Sequence, residues 1–172
     1  MAVPEFLNAI EQSGLSTWIR ESDSVFAYYF ILLSHTIGLA LLVGANTVVD
    51  LRLLGVASNL PLEPLERFFS IMWLGFWINA ASGLLLLIAY PTKAFTNPVF
   101  YIKLSIIALA VITMQRIKNR VFVSSGLSET ARVARGKMMA KLSLGLWIGA
   151  ITAGRLLAYT YTYRRYGSRI AH

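Results

Sequence analysis

The chain contains no cysteine, which excludes disulfides, thiolate metal sites and cysteine nucleophiles together. Charge is scarce as well, since only 14% of the residues are Asp, Glu, Lys or Arg, against about 25% in an ordinary soluble domain. Histidine occurs twice, at His35 and His172, so imidazole chemistry within the bulk of the chain rests on His35 alone. There is no low-complexity tract and no internal repeat, which leaves repeat-built transporter architectures without support. What remains is apolar: 56% of the 172 residues are hydrophobic, and mean hydropathy is +0.61. That composition fits an integral membrane protein better than a soluble one.

Four stretches approach the roughly 20 apolar residues that cross a bilayer as helix. They cover about residues 25–49, 68–90, 99–114 and 138–161, the third being the shortest and interrupted by Lys103. Spanning helices satisfy their own backbone groups, so the expected fold is all-α, an integral membrane four-helix bundle forming a single transmembrane domain over residues 1–172. Ahead of it, "PEFLNAIEQSGLSTWIRES" spaces Phe6, Ile10, Leu15, Trp18 and Ile19 as a broken amphipathic stripe. Residues 4–20 are therefore expected as a short amphipathic helix at the outer interface, with no basic n-region or continuous apolar run of the kind a signal peptide carries.

The formal net charge of +8 does not point to nucleic acid, because the basic residues flank apolar spans. They fit contacts with anionic lipid headgroups and a role in setting topology. Arg116, Lys118, Arg120, Arg132, Arg135, Lys137 and Lys141 cluster between the third and fourth spans. The positive-inside rule then places that connection in the cytoplasm and both termini outside, in the periplasm for a bacterial inner membrane protein. The acidic N-terminal segment agrees, whereas Arg164, Arg165 and Arg169 of the tail oppose it.

Polar residues at membrane depth are the candidates for function. At about 1.5 Å of rise per residue, His35 falls near the middle of the first span. Asn46 and Asp50 follow on nearly the same face, and Gly38 sits beside that stripe, leaving room next to the imidazole. The second span carries Asn79 and Ser82 near mid-depth; Lys103 enters on the third and Arg155 on the fourth. His35, Lys103 and Arg155 thus share the outer half, a surplus of positive charge suited to an acidic ligand group, with Asn79 and Asn46 as further binding candidates. Each has a plainer reading. Lys103 and Arg155 can snorkel to headgroups, His35 can be a structural hydrogen bond to a facing carbonyl or to Asn79, and Asp50 with Arg52 can form a local ion pair. Gly145 and Gly149 read as a small-xxx-small close-packing pair, and Tyr159, Tyr161, Tyr163 and Tyr166 as an interfacial belt.

"HTIGLALLVGANTVVDLRLLG", "GFWINAASGLLLL", "NPVFYIKLSIIALA" and "LSLGLWIGAITAGRLLAY" together resemble a bacterial family of four-span membrane proteins, a domain of unknown function, over residues 24–161. The layout is also similar, more weakly, to HemJ-type protoporphyrinogen oxidases and CopD-type copper-resistance membrane proteins. His35, Arg52 and Lys103 occupy places comparable to a first-span His, the Arg after it and a third-span Lys in those families. The resemblance implies His35 as an axial ligand, and hence the metal-binding residue, of haem b. It departs at "VITMQRIKNR", where Met114 or Gln115 stands in place of a second His. That leaves haem on His35 alone, on His35 with Met114, or on His35 from two protomers. Copper would want several soft ligands near His35, and Met72, Met114, Met138 and Met139 all fall toward the other end. The resulting expectation is a membrane protein that holds haem b or another acidic redox cofactor in the outer half of the bundle. The alternative is a non-enzymatic accessory subunit packing against lipid, a second copy or a larger membrane complex. Nothing in the residues marks catalysis.

Overall fold

The computed structural model describes residues 5–21, 25–56, 58–123 and 128–167. Every regular element among them is helical: α1 Glu5–Glu11, α2 Gly14–Glu21, α3 Val25–Leu54, α4 Phe68–Ala89, α5 Pro91–Phe95, α6 Pro98–Ile117 and α7 Glu129–Gly167. A 3₁₀ turn over Glu63–Arg67 leads into α4, and a π-helical turn over Lys118–Phe122 continues α6. Among the described residues three segments are long and apolar enough to cross a membrane, Tyr28–Leu54, Glu63–Ala89 and Pro98–Phe122. α7 is the longest helix but is not among them.

The sequence explains several of these boundaries. Asn97 caps α6 by accepting from Val99 N at 3.0 Å, and Pro98 follows at the first helical position, where a missing N–H costs nothing. The third apolar segment is longer than residues 99–114 because neither Lys103 nor Arg116 breaks a helix; both are good helix formers with long side chains. α7 begins nine residues before the expected 138. Arg132, Arg135 and Lys137 therefore lie on a helix rather than in a loop, and the connection shrinks to residues 123–128.

The expected single N-terminal helix is two. Gln12 and Ser13 break it, and Ser13 Oγ accepts from Ser16 N at the start of α2. Of the expected stripe only Ile19 is buried, together with Leu7, while Phe6, Ile10, Leu15 and Trp18 are exposed. The inner face docks on the end of α4: Ser16 Oγ donates to the Ala89 carbonyl at 3.3 Å. Thr92 Oγ1 donates to Glu11 Oε2, and Arg20 Nη2 to the Glu11 carbonyl, fixing α1 and α2 against α5.

The long helices pack with α3 against α4 and α7, and α6 against α7. The core gathers toward the 123–128 connection: Leu42, Val49 and Leu53 of α3, Phe69 and Met72 of α4, Met114 and Ile117 of α6, and Trp147 of α7. Toward the other end burial stops. None of residues 28–37 on α3 or 98–109 on α6 is buried. The outward surface is apolar, with Leu33, Ile37, Leu74, Trp77, Leu109, Ile112 and Ile148 all exposed. The tail beyond 167, including Arg169 and His172, lies outside the described residues, and the side chains of Arg164, Arg165, Tyr161, Tyr163 and Tyr166 are not described; Tyr159 is exposed.

Candidate functional site

The site begins with a backbone contact. A Cβ added at Gly38 would lie 2.6 Å from Asn79 N and 2.9 Å from Gly75 O; one added at Gly75 would lie 2.6 Å from Leu42 N and 2.7 Å from Gly38 O. Only glycine at both places lets α3 and α4 touch so closely. One turn away, that proximity brings two polar side chains to the opposite helix's carbonyls. Asn79 Nδ2 donates to His35 O at 2.8 Å, and His35 Nδ1 lies 3.0 Å from Asn79 O. His35 Nδ1 is also 3.1 Å from Ser82 Oγ.

These contacts assign the tautomer. The Asn79 carbonyl can only accept, and the Ser82 hydroxyl is turned to the Ile78 carbonyl at 2.6 Å, which leaves its lone pairs for the ring. Nδ1 therefore carries the hydrogen, and in the neutral ring Nε2 carries a lone pair. Among the described residues nothing is hydrogen-bonded to Nε2. A ring N–H donated to a backbone carbonyl is the usual way a protein orients a histidine for a metal or an acid on its other nitrogen. Gly83 completes the cradle, because a Cβ there would come within 3.1 Å of His35 Cε1.

Lys103 joins from α6. It is half-buried, its charge is within electrostatic reach of the imidazole, and a Cβ at Gly154 of α7 would lie 3.8 Å from its Cε. His35, Asn79, Ser82 and Lys103 thus converge from three helices, with Gly154 of the fourth behind the lysine. The structure departs from expectation at three of the sequence candidates. Arg155 is exposed on α7, and its neighbour Gly154 is what faces Lys103. Asn46 is not part of this site: it is buried about three turns away, bound to Asp50 and to Ser143. Gly38 does not leave room for a ligand, since α4 fills the space beside it.

Asp50 and Arg52 do not pair with each other. Arg52 donates to Leu60 O and to Glu129 Oε1, the latter at 2.7 Å, while Asp50 takes its hydrogen bond from Asn46. Met114 is fully buried in the core at the far end from His35, which removes it as a second axial ligand. Among the described residues no group of three His, Cys, Asp or Glu could hold a metal ion. Gly75, Gly83 and Ser143 went unread in the sequence. Gly75, Asn79, Ser82 and Gly83 stand at helical spacing on one face of α4, the signal that would have found the first two. No family model, curated protein or solved structure matches this chain.

Proposed function

We propose that the chain is a four-span membrane protein that binds a ligand with acidic groups, of the haem b class, between His35 and Lys103. The observation that carries this reading is the oriented imidazole: Nδ1–H is held by Asn79 O, and the Nε2 lone pair has no hydrogen-bond partner among the described residues. Lys103 supplies the cation that would pair with a propionate or another carboxylate. When bound, such a group supplies one-electron redox chemistry. His35 would hold it through Nε2, with Lys103 beside its acidic groups.

The outward apolar side chains supply the membrane part of the proposal. Large apolar side chains such as Leu74, Trp77, Leu109 and Ile148 face out around a core that is itself mainly apolar, which suits a lipid surround rather than water. The apolar stretch of α7 makes the fourth span, packed on α3 and α6 as a bundle helix would be. The cations around residues 116–141 support an orientation with that end in the cytoplasm and both termini in the periplasm of a bacterial inner membrane.

A second reading has its own observation. The reciprocal His35–Asn79 bonds beside the Gly38–Gly75 contact form a complete helix staple, as expected of an accessory subunit that binds only lipid or protein. The absorption spectrum of the detergent-purified protein, before and after dithionite and after haem supplementation, separates the two. On the cofactor reading a Soret band with reducible α and β bands appears. His35→Ala and His35→Gln both lose it, and Lys103→Ala weakens retention. A protein that stays colourless after supplementation, with His35→Gln as stable as wild type, overturns the cofactor reading.

A further inference from the structure

The most completely buried polar cluster lies at the other end of α3 and plays no part in the reading above. Asp50 is 0% exposed. Its Oδ2 accepts from Asn46 Nδ2 at 2.5 Å, one turn back, and the same nitrogen lies 2.8 Å from Ser143 Oγ on α7. Its Oδ1 is buried with no hydrogen-bond partner. Native interiors rarely leave a carboxylate oxygen in that condition.

No cation offsets a charge there. Among the described residues none of the ion pairs includes Asp50. Arg52 on the same helix is bound to Leu60 O and Glu129. α4, packed alongside, has no charged residue from Phe68 to Ala89. On α7, Lys137 and Lys141 are exposed, and Arg132 pairs with Glu63. Arg116 on α6 is exposed, Lys118 lies over the Phe69 ring, and Lys103 is near Gly154 at the opposite end.

An ionised carboxylate in that surround would bury a full charge against two neutral donors, the Asn46 amide and the nearby Ser143 hydroxyl, with no cation. A neutral acid would leave at most one hydroxyl unpartnered, a much smaller desolvation cost. We propose that Asp50 is a proton-binding site: the resting protein holds it as the neutral acid with the proton on Oδ1, and Asn46 and Ser143 form the uncharged cradle that joins it to α7. Oδ2 is then the carbonyl oxygen, which accepts from Asn46 as observed. Among the described residues no cluster of His, Cys, Asp or Glu stands ready to hold a metal cation in the proton's place. Loss of the proton leaves a bare charge in the α3–α7 contact, so release of the proton and entry of water there occur together. A cleft of about 400 Å³ lined by Arg52, Ser58, Glu129 and Lys137 lies at the same end of α3, and Asp50 is not among its lining residues.

The site is independent of what His35 binds, and it can be read directly. The chain has two aspartates, Asp23 and Asp50, so full-length Asp23→Asn protein grown with isotopically labelled aspartate reports on Asp50 alone. Its infrared spectrum in detergent should show a label-sensitive carbonyl stretch of a neutral acid at neutral pH, lost on alkalinisation. Asp50→Asn, which keeps shape and neutrality, should abolish that band and leave helicity and elution volume unchanged. A label-sensitive signal that is wholly carboxylate at neutral pH overturns the proposal. So does an Asp50→Asn protein that fails to fold, because a required charge is incompatible with a neutral acid.

Discussion

The two ends of α3 solve the same problem differently. At one end His35 is half-buried, crossed closely by α4 through paired glycines, and leaves one ring nitrogen uncommitted. At the other end Asn46 and Asp50 are fully buried, bonded to each other and to Ser143 of α7, and one Asp50 oxygen has no partner. Polar groups at membrane depth must be satisfied inside the protein. A helix staple achieves that while leaving a face open; a sealed cluster achieves it only if its charge is neutralised. The first arrangement suits a ligand that arrives from outside, the second a proton.

The largest effect should come from breaking the staple end at its backbone contact. Gly75→Leu puts a branched side chain where even a Cβ would lie 2.6 Å from Leu42 N, and rigid backbone on both sides cannot yield. The cost should reach or exceed the roughly 3 kcal/mol upper range of overpacking. Loss of the monodisperse elution peak and an early thermal transition would register it; a Gly75→Leu protein with wild-type melting would show that α3 and α4 do not touch there.

A smaller effect is expected at the sealed end. Asn46→Leu removes the donor to Asp50 and Ser143 and leaves both buried without it, which should cost about 1–3 kcal/mol. Asn46→Leu combined with Asp50→Leu removes the stranded partner, so the double variant should be more stable than Asn46→Leu alone. That non-additivity is the check, read by melting temperature in one detergent. If the double variant is worse by the sum of the two single changes, the pair does not act as a unit.

The sequence made these two ends visible unequally. His35, Asn79 and Lys103 were legible because a polar residue on an apolar helix stands out by depth, and depth follows from counting residues. Which helix face meets which neighbour was not legible: eleven positions bring Asn46 back to the azimuth of His35, yet the neighbour there is α7 and Ser143, not α4. Arg155 was misread for a related reason, since one residue is about 100° on a helix and Gly154 takes the inward position. The extent of α7 was missed because the basic stretch was read for topology and not for helix propensity, in which Arg, Lys, Met and Ala all rank high.

The smallest effect concerns the glycines that spacing alone marked for close packing. A Cβ at Gly145 would meet nothing within 4 Å, and at Gly149 only Ile106 at 3.8 Å, an ordinary contact. Neither permits an approach that alanine would forbid, unlike Gly38 and Gly75. Gly145→Ala should then be neutral or stabilising, by up to the roughly 0.5–1 kcal/mol that glycine forfeits to alanine inside a helix. Gly38→Ala, the same chemical change one contact away from His35, should be clearly destabilising because the backbone of α4 occupies the Cβ position. Thermal melts of the two variants side by side test the contrast. A destabilised Gly145→Ala would mean that a second copy of the chain packs on that face of α7.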